Sequence, residues 1–328
     1  MDRGVRLETV WTAVEPLLQV RGLTTRFPLE AGALKRTVAY VHAIDGVDLS
    51  LHQGEALAVI GGPGSGKTTL GRSILRLVQP AAGEVRFRGA DLLRLEGSEL
   101  RQARRELAMV FQDPQRSLNP RHAVAEIVAE PLDAFGLYQG RPERGRRIGE
   151  LLNLVGLAPS QAHLYPHELP IEQRLRVGIA RALAAEPSLI VWDEVTSTLE
   201  PASQMQVLSL LERLRHQLRL TYLFLAAGFS ALRPLTGRVA VLHRGRVVEI
   251  AGATELTGRP RHPYTASLLD GVPAPEVRED GGLAAKAGQG CSFRTRCPRA
   301  QARCAESEPA LDAFAADEHL AACYFPLQ

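Results

Sequence analysis

The segment Gly61-Gly62-Pro63-Gly64-Ser65-Gly66-Lys67-Thr68 restricts the possible folds of this chain more than any other. It has the spacing GxxxxGK[ST], it follows the apolar run Ala56–Ile60, and a helical pattern begins at Thr68 and Thr69. A strand that turns through glycines into a helix lets backbone N–H groups curl around a polyphosphate, and the helix dipole adds to the attraction. Lys67 supplies a compact positive charge to the phosphates, and the Thr68 hydroxyl suits Mg²⁺. Only three lysines, Lys35, Lys67 and Lys286, occur among 39 basic residues. A lysine placed in this loop fits a site that needs an ammonium group rather than a planar guanidinium.

A second signal lies downstream. Leu189-Ile190-Val191-Trp192 is an apolar run ending in Asp193 and Glu194. Asp193 is expected to hold Mg²⁺ through its water shell, and Glu194 to polarise the attacking water as general base. Taken alone, the run reads equally well as a strand ending in solvated charge. With the phosphate loop upstream, the pair points to a P-loop nucleoside triphosphatase.

Short apolar runs alternate with amphipathic stretches from Leu17 to about Ala251, as in an α/β domain. Strands are expected over Ala56–Ile60, Leu107–Phe111, Leu189–Trp192 and Tyr222–Leu225. The run Val239–Ala251 reads as a hairpin turning near Arg244–Gly245. Helices are expected over Thr68–Val78, Arg174–Ala185 and Ser203–Leu218. Residues 120–165 look helical, with a polar break at Gln139–Arg147. Residues 273–290, rich in Pro, Gly and polar groups, read as a linker. With 39 basic and 36 acidic residues the net charge is +3, too small for a chain that coats nucleic acid. Apolar runs fall short of the roughly 20 residues that span a bilayer, and the N-terminal residues lack a secretory pattern. The expectation is a soluble cytoplasmic protein able to dock on a membrane partner.

Further runs narrow the reading. Phe111-Gln112-Asp113-Pro114-Gln115-Arg116-Ser117-Leu118-Asn119-Pro120-Arg121 follows an expected strand. Tyr165–Leu169 and Gln173–Leu183 precede the acidic strand. Together with the phosphate loop they resemble the ATP-binding subunit of an ABC transporter. Arg261-His262-Pro263-Tyr264-Thr265 and the stretch from Cys291 to Pro298 are similar to the C-terminal extension of the oligopeptide/dipeptide (and nickel) importer family. The resemblance covers about residues 17–326. It implies an α/β P-loop NTPase core of RecA type, with a small antiparallel β subdomain, a helical subdomain inserted at about 113–180, and a C-terminal Cys-rich module. It also implies an N-terminal extension 1–16, an ATP-binding domain 17–255 and an extension 256–328, with the Cys module at 291–323.

By that resemblance Gln112 touches Mg²⁺ or the attacking water and lies where a permease helix docks. Phe27 lies where the family stacks an aromatic on adenine, with Tyr40 as a rival and a core aromatic as the plainer alternative. Two membrane permease subunits, a second ATP-binding subunit and, indirectly, an extracytoplasmic solute-binding protein are the implied partners. The implied location is peripheral, on the cytoplasmic face of the cell membrane.

Three positions depart from the family. The signature loop LSGGQ reads Leu169-Pro170-Ile171-Glu172-Gln173. Pro and Ile replace a hydroxyl and a flexible backbone, and Glu172 would repel a phosphate unless protonated or turned away. Ala227 stands at the switch-histidine position and has no hydrogen bond to offer. The D-loop reads Ser197-Thr198-Leu199-Glu200, one methylene longer at its acid. These losses remove γ-phosphate contacts while leaving the phosphate loop and metal ligands in place. The chain is therefore expected to hydrolyse ATP weakly alone and to work beside a non-identical, more complete ATP-binding subunit. A regulatory subunit that binds ATP without hydrolysis, and a soluble non-transport ABC ATPase, are the alternatives.

All four cysteines follow residue 290, at Cys291-x5-Cys297-x6-Cys304-x18-Cys323. In a cytosolic chain this suggests a metal centre rather than disulfides. Family members carry this spacing with a [4Fe–4S] cluster, which four thiolates can hold. Zinc and unliganded thiols are the alternatives, and His319 is a possible substitute ligand.

Overall fold

The turn expected near Arg244–Gly245 is built from two consecutive left-handed residues, Arg244 at φ 47° and Gly245 at φ 81°. That conformation matches the twist of a tight hairpin. It joins the antiparallel strands Arg238–His243 and Arg246–Gly252, with His243 opposite Arg246. The computed structural model describes residues 15–31, 36–113, 117–195, 197, 199–271, 290–313 and 319–328. Residues 1–14, Lys35, Pro114–Arg116, Thr198 and the linker 273–289 with Lys286 lie outside them.

The chain divides into two compact units, one of residues 1–52, 56–89 and 226–328, the other of residues 53–55 and 90–225. In the first unit, Ala56–Ile60 is buried throughout and pairs parallel with Arg238–His243. The short strand Leu320–Ala321 pairs antiparallel with Arg246–Gly252, and Asp312–Ala313 pairs with it in turn. The C-terminal residues thus extend the sheet that carries the phosphate loop.

The antiparallel part of this unit is the long hairpin Leu18–Ala31 with Arg36–Leu51, and Ala82–Phe87 on the other side of Leu18–Ala31. Leu18 and Val20 are buried opposite Leu51 and Leu49, while Gln19 and Ser50 between them are not. That period of two is what a half-buried strand requires. The helix after the loop, Lys67–Ile74, is shorter than expected. Arg76 at φ 51° breaks it, and the N–H groups of Leu77 and Val78 turn back to Arg72 O.

In the second unit, Leu107–Val110, Leu189–Asp193 and Thr221–Ala226 form a parallel set, with Leu107 opposite Leu189 and Leu189 opposite Thr221. Trp192, Tyr222 and Phe224 pack together, Trp192 edge-on to Tyr222 at 5.1 Å. The helices Val124–Phe135, Gly140–Leu154 and Ile171–Leu183 pack on one another. The expected polar break is displaced. Gly136 at φ 66° ends the first helix, and Gly140–Arg147 is the first half of the next. Ion pairs carry its exposed face, Arg144 to Asp133 at 2.7 Å and Arg146 to Glu150 at 2.8 Å, while Ile148, Leu151 and Leu152 are buried. Pro201 occupies the first turn of Pro201–Leu218, where its missing N–H costs nothing. No helix among the described residues is long and apolar enough to cross a membrane.

Candidate active site

The phosphate loop is shaped by what its glycines leave out. A Cβ on Gly61 would lie 2.3 Å from Leu242 O and 2.8 Å from Ser65 Oγ. Gly66 sits at φ +106°, and a Cβ there would lie 2.3 Å from Ala43 O. Larger residues at either position would push the loop off the neighbouring backbone. Gly245 N donates to Ser65 O at 2.7 Å, so the hairpin turn fixes the far side of the loop. Lys67 is 5% exposed, and its Nζ donates to Gly61 O at 2.7 Å and to Gly62 O at 3.3 Å. The ammonium therefore lies across the loop. Pro63 and Gly64 are exposed at its crown, and Thr68 and Thr69 are half-buried in the first helical turn.

Gly62 N donates to the Tyr264 hydroxyl at 2.8 Å. Tyr264 belongs to the short helix Pro263–Leu269 of the C-terminal extension. A buried carboxylate places this helix. Glu249, fully buried, accepts from Arg261 N at 2.6 Å, from His262 N at 2.9 Å and from His319 Nε2 at 2.6 Å. His262 Nδ1 then accepts from Tyr264 N at 3.0 Å.

In the second unit, Asp193 ends its strand and is 2% exposed. Glu194 follows at φ 47°, an unusual conformation for a non-glycine residue, and its N–H donates to Leu225 O at 2.8 Å. Gln112 Nε2 donates to Glu194 Oε2 at 2.9 Å. The structure thus brings the expected Gln112 and Glu194 together, with the amide orienting the carboxylate. Ser197 Oγ donates to Glu194 O at 2.8 Å and closes the turn.

The segment Leu169–Gln173 opens the helix Ile171–Leu183. Leu169 is buried, Pro170 sits at the N-cap without a capping side chain, and Ile171 is 38% exposed. Glu172 pairs with Arg176 at 2.9 Å, one helical turn on. Its side chain is turned along the helix. Gln173 Oε1 accepts from Gln161 Nε2 at 2.8 Å. Ala227 is exposed just beyond the strand Thr221–Ala226.

Phe27 and Tyr40 are 42% and 50% exposed on the long hairpin, so neither is a core aromatic. Arg26 lies over the Tyr40 ring at 4.7 Å.

The four cysteines, with Phe293 and His262, line one small pocket. Burial and the neighbouring thiols raise the Cys291 thiol and push Cys323 up to about 11. Among the described residues, however, no group of three or more His, Cys, Asp or Glu is placed to hold a metal ion. The expected ligand set is therefore not assembled, although its chemistry converges on one cavity. His319 is removed as a substitute ligand, because it is fully buried against Glu249.

Three contributors escape a reading of the sequence. Arg176 could have been found from its i,i+4 spacing to Glu172. Glu249 shows only as an acid inside the apolar run Val247–Ala251, and Tyr264 is separated from the loop by some two hundred residues.

A family profile described as ABC transporter matches residues 44–197, and one described as Oligopeptide/dipeptide transporter, C-terminal region, matches residues 248–304. The chain is 41% identical over 322 residues to the oligopeptide transport ATP-binding protein AppF of Bacillus subtilis (strain 168), covering 94% of this chain and 97% of that one. The ATP-binding cassette MJ0796, solved as a dimer in a post-hydrolysis state bound to ADP and Pi, aligns with TM-score 0.63 and 28% identity over 72% of this chain and 98% of its own. The cbiO1 protein of Clostridium perfringens, part of the cbiONQ ABC transporter complex, shares the fold with TM-score 0.63 and 24% identity, over 75% of this chain and 92% of that one.

Proposed function

The chain belongs to the ABC transporter family as an ABC-type ATPase, and we propose that it powers peptide uptake through a membrane permease as the degenerate half of a heterodimeric ATPase pair. One observation carries the second clause. The phosphate loop keeps its glycine geometry and Lys67, whereas Leu169–Gln173 has lost its small residues and satisfies its own acid through Arg176. The relatives' names support a peptide as cargo. The domain division follows the resemblance, an ATP-binding domain at 17–255 and an extension at 256–328.

In this reading Gly61–Thr69 cradle the phosphates of ATP, and Lys67 leaves Gly61 O to meet them. Phe27 stacks on the base. Thr68, Gln112 and Asp193 offer a hydroxyl, an amide oxygen and a carboxylate, the hard oxygen donors that suit Mg²⁺. When bound, the ion supplies charge neutralisation to the phosphates. Glu194 takes a proton from the attacking water, held in orientation by Gln112. Each site of the pair is composite. This chain lends its loop and acids to one, which lacks only the switch histidine at Ala227, and its altered Leu169–Gln173 leaves the other without a full γ-phosphate clasp.

The expected partners are a non-identical ATP-binding subunit and two permease subunits, with a solute-binding protein acting on the far side of the membrane. Nucleic acid has no part. The chain would sit peripherally on the cytoplasmic membrane face. Affinity purification from native membranes should recover both kinds of partner; recovery as a free homodimer would exclude the pair. Single-turnover hydrolysis separates this reading from a purely regulatory subunit.

The proposal extends to the cysteine module. Four thiols line one cavity, and burial raises two of them, Cys291 and Cys323; a cluster whose iron binds thiolates suits that donor set. Cys291, Cys297, Cys304 and Cys323 would hold a [4Fe–4S] centre that cross-links a module too small to build much core. Protein purified anaerobically should be brown and contain iron and sulfide. A colourless preparation with stoichiometric zinc would overturn this.

A further inference from the structure

We infer that Tyr264 is a positioning residue of the nucleotide site, so that the C-terminal extension supplies a working part of the phosphate loop. The inference rests on the nucleotide-binding reading of that loop and deepens it.

The geometry concerns one peptide group. The carbonyl of Gly61 accepts from Lys67 Nζ at 2.7 Å, and the N–H of the same peptide, on Gly62, donates to Tyr264 Oη at 2.8 Å. The peptide is flanked by two glycines, which impose little torsional preference of their own. Both its polar ends are held by side chains, one from the loop and one from the extension. When Lys67 turns to a phosphate, Gly61 O loses the ammonium. The Tyr264 hydroxyl then keeps the peptide from rotating. A loop held in its binding conformation before the ligand arrives loses less entropy on binding.

The hydroxyl is aimed by a rigid setting. Tyr264 is 8% exposed. Its ring lies 4.2 Å from His243, at the end of the strand beside Ala56–Ile60, and 5.4 Å from Phe293 between Cys291 and Cys297. Its backbone is set by His262, and His262 by the buried Glu249. The fit at the loop is close, since a Cβ on Gly62 would lie 3.3 Å from Tyr264 Oη.

The test uses the full chain, a fluorescent ATP analogue with Mg²⁺, and the variants Tyr264→Phe and Lys67→Ala. Phe keeps the ring against His243 and Phe293 and removes the hydroxyl alone. The Gly62 N–H is only partly buried, so water can replace the hydroxyl; losing the hold on the loop should weaken analogue binding by about tenfold, with the nucleotide-free melting temperature unchanged. Binding of Tyr264→Phe within twofold of the parent, while Lys67→Ala loses binding, overturns the inference and leaves the nucleotide reading intact. Parent-like binding by both variants overturns the reading and the inference with it. A Tyr264→Phe protein whose nucleotide-free stability falls along with its affinity assigns the tyrosine a structural role only, which also overturns the inference. Hydrogen exchange on the unaltered chain needs no variant. The peptide spanning Gly62 should stay protected with and without MgATP, and rapid exchange in either state contradicts the assignment.

Discussion

Two helices in this chain begin with the same resource, a positive dipole end and a set of amide N–H groups, and they use it in opposite ways. Lys67–Ile74 starts from a left-handed glycine, Gly66, and has no acidic residue in its first turn. Ile171–Leu183 starts from Pro170 and carries Glu172 in its first turn, already paired with Arg176. The first helix leaves its dipole to be neutralised by a ligand. The second neutralises its own. A helix N-terminus is therefore a phosphate site only when the chain's own side chains do not satisfy it first, and the contrast between these two segments is the basis for assigning this subunit an unequal role.

The largest expected effect tests the chemistry that the first helix serves. Glu194→Gln should lower ATP turnover of the assembled complex by about two to three orders of magnitude, with analogue binding retained; single-turnover assays check it. Equal loss of binding would mean that Glu194 acts on the fold through its left-handed turn. Next, Lys67→Ala should weaken binding of a labelled ATP analogue by about two orders of magnitude, the scale on which one preorganised electrostatic donor acts. Unchanged binding would remove the distinction between the two helices.

A smaller effect depends on pH and belongs to the rings behind the loop. Burial lowers His243 and His262 from 6.5 to about 4. Both are neutral in the fold at neutral pH, and the unfolded chain takes up their protons first as pH falls. Stability is then full above about pH 6.5 and declines towards pH 4, by on the order of 3 kcal/mol for each ring. Urea unfolding between pH 7 and pH 4 checks this, and His243→Phe should flatten the decline. The smallest effect lies at the second helix. Glu172→Gln removes a partly exposed i,i+4 pair and should cost about 0.5 kcal/mol in urea unfolding. A cost of several kcal/mol would show that the pair is central to the segment rather than a local neutralisation of the dipole.

The parts of the site that the sequence displayed were those set by local spacing. The loop Gly61–Thr68, the acids Asp193 and Glu194, and the turn at Arg244–Gly245 each declare themselves within ten residues, because their chemistry needs adjacent groups. The core strands were legible for the same reason, being short runs buried throughout. Gln139–Arg147 misled because its charge and its Gly and Pro content suggested a break, while ion pairs and a proline in the first turn let it be helical. The long hairpin Leu18–Ala31 with Arg36–Leu51 was visible only through the family resemblance, since irregular register interrupts its alternation. Tyr264 and Glu249 lay beyond reach, because their partners are distant in sequence and a lone Tyr or Glu carries no spacing.

The central claim is that an intact phosphate loop is here combined with a signature segment unable to complete a site. Steady-state ATP hydrolysis by the isolated chain, set against a complex reconstituted with the proposed second ATP-binding subunit and permease, tests it most directly. The account predicts that the isolated chain is slower by at least about tenfold, the loss of one γ-phosphate contact being enough to cause this. Turnover by the isolated chain at the level of the complex would show that Pro170, Ile171, Glu172 and Ala227 limit nothing and would contradict the unequal pair.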